Sequence, residues 1–212
     1  LTNRNNGGSE VPLAGFPFHS LDVYLPRLVK GGYRVAICEQ LEKPDPQKKI
    51  VKRGVTEIIT PGVTLEHSLL DTKKNNFLAA IHFTKKDEIG IAFLDITTGE
   101  FLIAEGSTDY LDKLLQSLQP AEILHPKNYQ AAFKESFGNG FYTYGLDSWI
   151  FDEAFATEQL LKQFQTSTLK GFGIAEQKLG IMAAGAILHY LKETAHPHLQ
   201  HIHTIKSIVR EE

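Results

Sequence analysis

The sequence predicts an α/β fold: a three-stranded antiparallel meander that feeds an alternating helix–strand half, the layout of a ribonuclease H-like domain, preceded by a smaller mixed α/β unit. Three observations carry this. Apolar runs at 77–84, 89–96 and 100–105 are separated only by Lys85-Lys86-Asp87-Glu88 and Thr97-Thr98-Gly99, which is hairpin spacing. Next, Leu111, Leu114, Leu115 and Leu118 recur at i, i+3, i+4 and i+7, the period of a helix with one buried face. Short apolar segments at 121–125 and 141–144 then alternate with helical patterns over 130–137, 152–165 and 176–193.

Taken in order, residues 1–11 are polar and read as loop, and Pro12-Leu13-Ala14-Gly15-Phe16-Pro17 reads as a turn. Ser20 is placed to cap a helix in which Leu21, Leu25 and Leu28 share a face, and Gly31-Gly32 ends it. Pro26 lies inside that helix, where its ring and missing N–H predict a kink or loosened first turns. Strands are expected over 33–40 and 51–60, joined by a polar, proline-bearing loop over 42–49 and closed by Pro61-Gly62. The larger unit begins near Asn75. Ser107 or Thr108 caps its first helix and Pro120 ends it. In the last helix Gly180, Ala183, Ala184 and Gly185 are small, which suits close packing against a sheet or another helix. Residues 194–212 read as the start of a further element. The polar opening and uncapped close both look like cuts in a longer protein.

Composition is that of a globular protein: 212 residues, 42% apolar, 22% charged and a net charge of −3. The longest apolar run, 179–188, falls short of the roughly 20 residues a membrane helix needs. A single cysteine, Cys38, excludes an internal disulfide and any multi-cysteine metal site, and fits a reducing, cytoplasmic setting. Charge is uneven: residues 1–60 hold 9 basic and 6 acidic side chains, leaving the remainder at −6. The first part could face phosphates, while the rest has no net attraction to nucleic acid.

Few motifs carry chemistry. No phosphate-binding G-x-x-x-x-G-K-[ST] loop is present, and Gly171-Phe172-Gly173 lacks the third glycine of a dinucleotide fingerprint. A ribonuclease H-like nuclease needs three or four carboxylates around two divalent metals, one of them on the first strand. Asp95 and Glu100 are candidates, but Phe77–Phe83 holds no acid, so Asp95 is expected to support the turn at 97–99. His189, His196, His198, His201 and His203 have ligand chemistry, but the sequence shows nothing that fixes a metal geometry. Cys38, between Ile37 and Glu39, is expected to be a buried, inert thiol. The residues therefore predict no catalytic, cofactor or metal site.

One resemblance goes further. Leu1-Thr2-Asn3-Arg4, Pro12-Leu13-Ala14-Gly15-Phe16-Pro17-Phe18-His19, the run from Gly32 to Gln40, Thr60-Pro61-Gly62-Val63, the run from Leu94 to Phe101, Pro120-Ala121-Glu122-Ile123-Leu124 and the run from Leu169 to Gly173 stand in the order and spacing of the bacterial MutS family of mismatch-recognition proteins, which the chain resembles over its whole length. The resemblance implies that residues 1–65 are part of a mismatch-binding domain lacking its N-terminal half. It further implies a linker at 66–74, a ribonuclease H-like but non-nucleolytic connector domain at 75–190, and the start of a core or lever domain at 191–212. It implies mismatched double-stranded DNA, a MutL-type protein, further MutS domains and a second MutS subunit as partners. ATP and Mg are implied for the full-length protein only, through a domain absent here. The family's Phe wedge, which replaces lost base stacking while the duplex kinks, would precede Leu1. Phe133-Lys134-Glu135 and Phe151-Asp152-Glu153 mimic it at chance frequency and are rejected, the second as the start of a helix. What the resemblance leaves at the DNA is Arg4, suited to a phosphate, and Pro12 and Leu13, suited to the minor-groove side. Lys48, Lys49, Lys52 and Arg53 read as a solvated rim. Two other classes stand beside this reading: a metal-dependent ribonuclease H-like nuclease, and a module that only docks proteins.

Overall fold

The structure, a computed structural model, describes residues 2–6, 9–43, 50–63, 75–84, 88–196 and 198–208, with the backbone alone for those up to residue 13. The smaller unit starts with strands β1 (Thr2–Asn6) and β2 (Ser9–Leu13), paired antiparallel. A loop was expected here. The register sets Asn6 against Ser9 across Gly7-Gly8, a glycine pair of the kind hairpins favour, and backbone pairing outweighs the polar composition. Pro12 and Leu13 are therefore strand residues and not part of a turn.

Helix α1 (Leu21–Lys30) follows a single 3-10 turn at Phe18–Ser20. Ser20 occupies the N-cap position, but its hydroxyl makes no capping bond, because the 3-10 turn runs straight into the helix. The helix continues through Pro26 and buries Leu25 and Val29. Gly32 ends it at φ +81°, a conformation that glycine adopts without strain. Strands β3 (Val35–Gln40) and β4 (Arg53–Ile59) form an antiparallel ribbon, and an isolated bridge pairs Thr60 with Val63. Cys38 is exposed, contrary to expectation: the two-stranded ribbon carries α1 against one side, where Val35 and Ile37 point, and leaves open the other, where Ala36 and Cys38 point. The expected linker at 66–74, Lys48 and Lys49, and most of the loops at 42–49 and 85–88 lie outside the described residues.

The larger unit is a six-stranded mixed sheet. Strands β5 (Phe77–Phe83), β6 (Ile89–Asp95) and β7 (Glu100–Gly106) form the antiparallel meander. Helix α2 (Thr108–Leu118) crosses to β8 (Glu122–Pro126), parallel to β5, and helix α3 (Gln130–Phe137) crosses to β9 (Thr143–Leu146), parallel to β8. With β10 (Lys206–Ser207) parallel to β7, the order is β10-β7-β6-β5-β8-β9. Three antiparallel strands with two parallel ones added beside the first is the ribonuclease H-like arrangement the sequence predicts.

Helices cover both faces, which is why β5 and β6 are apolar at nearly every position. Phe77, Ala79, Ile81 and Phe83 point toward Leu111, Leu115, Phe133 and Phe137 of α2 and α3. Leu78 and Ala80 point the other way, into the cluster formed by α4 (Glu153–Phe164) and α5 (Lys178–Glu193). Small residues set the α5 approach: a Cβ on Gly90 would lie 2.2 Å from the Leu179 carbonyl carbon, and one on Gly185 would lie 2.4 Å from the Ala156 Cβ. Within the stretch after α5, Leu199, Ile202 and Ile205 are buried in the α5 cluster.

Candidate nucleic-acid interface and the junction behind it

The β1–β2 hairpin brings the three residues with a possible nucleic-acid role onto one two-stranded ribbon. Arg4 pairs with Val11, while Pro12 and Leu13 oppose Asn3 and Thr2. Lys52 and Arg53 are exposed at the start of β4.

The nuclease alternative fails on its own residues. Asp95 is buried, and its Oδ1 accepts from the N–H groups of Thr97 (2.8 Å) and Thr98 (3.3 Å). Its Oδ2 accepts from Asn76 N–H (3.3 Å), so this carboxylate builds the β6–β7 turn, as expected. Glu100 accepts from Asn75 Nδ2 at 2.6 Å, and β5 supplies no acid. Among the described residues no group of three or more His, Cys, Asp or Glu side chains is placed to hold a metal. Four of the late histidines face separate protein groups. His201 Nε2 donates to Ile96 O (2.5 Å) and His203 Nδ1 to His201 O (2.8 Å), while His189 stands 3.3 Å from Glu193. His196 is buried with Nε2 3.1 Å from Glu57; burial pushes its imidazole below the ordinary value against the pull of that carboxylate.

A buried polar cluster joins the two units, and sequence reasoning did not single it out. Glu122, on β8, is fully buried. Its Oε2 accepts from Thr60 Oγ1 (2.5 Å) and Gly62 N (3.1 Å), and its Oε1 accepts from Tyr190 O–H (2.6 Å). Tyr190 on α5 in turn accepts from the Arg34 guanidinium at 2.7 Å. Arg34, just before β3, lies over the Tyr144 ring at 3.7 Å from its centroid, and 5.3 Å from that of Tyr190. Burial drives the Glu122 carboxyl above its ordinary value, opposed by its three donors and by the Arg34 charge. Burial and the neighbouring Glu122 charge raise the Tyr190 phenol as well, so it stays a donor. The available signal was a lone acid in the apolar run Ala121-Glu122-Ile123-Leu124, since an acid on a buried strand must find donors. Backbone bonding continues the junction where Ile58 N donates to Thr194 O at 3.1 Å, beside Thr194 Oγ1, which returns to Tyr190 O.

These features define a ribonuclease H-like domain whose carboxylates serve turns and an inter-unit contact, with a ribbon-and-helix unit fastened to it. The family model for MutS domain II matches residues 76–203, and that for MutS domain I matches residues 1–68. Among curated relatives, proteins named DNA mismatch repair protein MutS from Christiangramia forsetii and Flavobacterium johnsoniae are 56% and 55% identical over all 212 residues, which cover 24% of each relative. The protein of that name from Cytophaga hutchinsonii is 57% identical over the same span, 25% of its length. The chain belongs to the MutS family. It spans about a quarter of the length of the curated relatives it matches. No helix among the described residues is long and apolar enough to cross a membrane.

Proposed function

We propose that this chain is part of a protein that recognises mismatched double-stranded DNA in mismatch repair, with the smaller unit toward the duplex and the larger one serving as connector. The observation that carries this reading is the identity, above half of the 212 residues, to proteins named for mismatch repair. In this reading residues 1–65 are part of the mismatch-binding domain, 66–74 its linker, 75–190 the connector and 191–212 the entry to the lever. The exposed apolar side chains Phe16, Phe18, Tyr24 and Tyr33 on the smaller unit fit a domain completed by further chain. Arg4 neutralises a backbone phosphate, and Pro12 and Leu13 rest along the minor groove. The connector relays the nucleotide state of an ATPase domain elsewhere in the longer protein, which uses ATP and Mg, and it docks a MutL-type partner. A second MutS subunit completes the clamp. The 212-residue chain itself hydrolyses no ATP.

Fluorescence anisotropy of the 212-residue chain with a labelled duplex, with and without a single G·T mispair, tests this. Binding is expected to be weak, equal for the two duplexes and steeply salt-dependent. Arg4→Ala is expected to lower the slope of log affinity against log salt by about one. Tight mismatch-selective binding by this chain would refute the assignment of discrimination to the longer protein, and a salt slope unchanged in Arg4→Ala would remove Arg4 from the DNA.

A further inference from the structure

We propose that Arg34 is a positioning residue: a latch that fixes the orientation of the smaller unit on the connector, about a hinge formed by Thr60–Val63. The hinge is built into the connector. Val63 is fully buried in the α5 cluster, and Pro61 O accepts from Asn76 Nδ2 at 3.2 Å. Gly62 sits so close to β8 that a Cβ there would lie 2.8 Å from the Glu122 Cβ and 2.9 Å from Leu78 Cδ1. Thr60 and Gly62 both donate to Glu122, so this segment cannot lift without leaving a buried carboxylate short of donors.

Arg34 is different. It is only half-buried and belongs to the smaller unit, and it reaches across to Tyr190 and Tyr144, both residues of the connector. Withdrawing it breaks one charge-assisted bond and the cation–π contacts with Tyr144 and Tyr190, and leaves Thr60, Gly62 and Tyr190 still on Glu122. One end of the contact is thus held by the buried Thr60–Val63 segment, and at the other Arg34 reaches across with its side chain. A rotation about the first end is opposed at the second by Arg34, with help from the 3.1 Å bond of Ile58 N to Thr194 O and the approach of Glu57 to His196. Tyr190, Thr194 and His196 all lie on the last turns of α5 or just past it, so this helix end receives most of these contacts, with Tyr144 on β9 taking the cation–π contact of Arg34. Among the described side chains no second arginine reaches this junction: Arg27 lies against Tyr24 within its own helix, and Arg53 is exposed at the far end of β4. That the latch orients a DNA-binding unit rests on the proposed function; that it sets the angle between the units does not.

The molecule contains its own ruler. Its sole cysteine, Cys38, is exposed on β3 of the smaller unit, and its sole tryptophan, Trp149, lies on the connector. With a thiol-reactive acceptor on Cys38, time-resolved energy transfer from Trp149 reports the angle without introducing residues. A single narrow distance distribution is expected for the wild type. Arg34→Ala is expected to lower the ratio of docked to released molecules about 10- to 100-fold, from the strength of one charged hydrogen bond, and so to broaden the distribution and shift it. Arg34→Lys keeps the charge but not the planar fork and should lie between. Tyr190→Phe should act in the same direction, although it also takes a donor from Glu122, and the double variant should shift the distribution by less than the sum of the single changes, because both remove the Arg34–Tyr190 bond. Far-UV circular dichroism checks that each variant folds; should Arg34→Ala fail to, Arg34→Lys and Tyr190→Phe carry the test. Distributions unchanged from the wild type in every folded variant would overturn the latch. Loss of DNA binding in the unaltered chain would instead count against the proposed function and leave the latch standing.

Discussion

Gly185→Ala offers a test in which local and tertiary physics predict opposite signs. Gly185 lies inside α5, and within an isolated helix the exchange stabilises by about 1 kcal/mol, because alanine loses less backbone entropy on folding. In the folded protein the added Cβ would lie 2.4 Å from the Ala156 Cβ and 2.5 Å from its Cα on α4. Carbon atoms at rest are about 3.5–4.0 Å apart, so the two helices must separate by about 1 Å. The obstacle is backbone and a methyl group, neither of which has a rotamer that relieves the clash. Overpacking of this kind costs about 1–3 kcal/mol, and with backbone involved the upper end applies. Net destabilisation of about 2 kcal/mol follows, or a fall in Tm of about 4–8 °C for a domain of this size. Thermal melts followed by circular dichroism measure it. Ala156→Gly should restore most of the loss in the double variant, giving a coupling of opposite sign to the single effects. Gly180→Ala serves as contrast: its Cβ would stand 3.2 Å from the Ile103 Cβ and 3.3 Å from its Cδ1, a much smaller overlap, so its cost should be clearly below that of Gly185→Ala. A rise in Tm for Gly185→Ala, or no rescue by Ala156→Gly, would refute the α4–α5 contact as described.

Other changes have equally direct readings. Asp95→Ala strips an acceptor from the N–H groups of Thr97, Thr98 and Asn76 and should cost about 1–3 kcal/mol in urea unfolding; magnesium-dependent cleavage of an RNA–DNA hybrid by the wild type, lost in this variant, would revive the nuclease. Asp152→Ala removes the cap of α4, whose carboxylate accepts from Phe155 N at 2.9 Å, at a cost of about 1 kcal/mol; an unchanged unfolding midpoint would contradict it. His82 gives a pH signature. Its ring stacks on Phe151, its Nδ1 has no hydrogen-bond partner among the described residues, and burial holds it below the ordinary value of 6.5. The unfolded chain therefore takes up the proton first, so the stabilising contribution is complete above 6.5 and is lost as pH falls toward the folded value. The Tm of His82→Phe relative to wild type should rise between pH 7.5 and 5.5; a constant difference would show that His82 does not titrate against folding.

The larger unit was legible to within a few residues at most of its ends. Its strands and helices are long and periodic, its turns are spelled by Thr97-Thr98-Gly99 and by polar breaks, and these are local properties. Errors fell where local chemistry is ambiguous. The run from Thr2 to Leu13 is polar and reads as loop, yet two such segments pair through backbone groups that composition does not report. Cys38 sits in an apolar-looking strand, and only the openness of a two-stranded ribbon decides that the thiol is exposed. Ser20 has capping chemistry, but the preceding 3-10 turn takes its place. Glu122 and Arg34, 88 positions apart, had no sequence signal that linked them.

By itself the sequence determined the α/β class, the order of the elements, the absence of a phosphate-binding loop and the family, because periodicity, turn residues and motif order are written along the chain. The tertiary structure decided which polar groups meet: that Asp95 serves a turn, that His201 and His203 bond to backbone carbonyls, and that Glu122, Tyr190 and Arg34 join two units. The physical reason is that a buried charge is tolerated only beside its partners. Those partners come from the residue before β3, the Thr60–Val63 segment, β8 and α5, which only folding brings within hydrogen-bond reach.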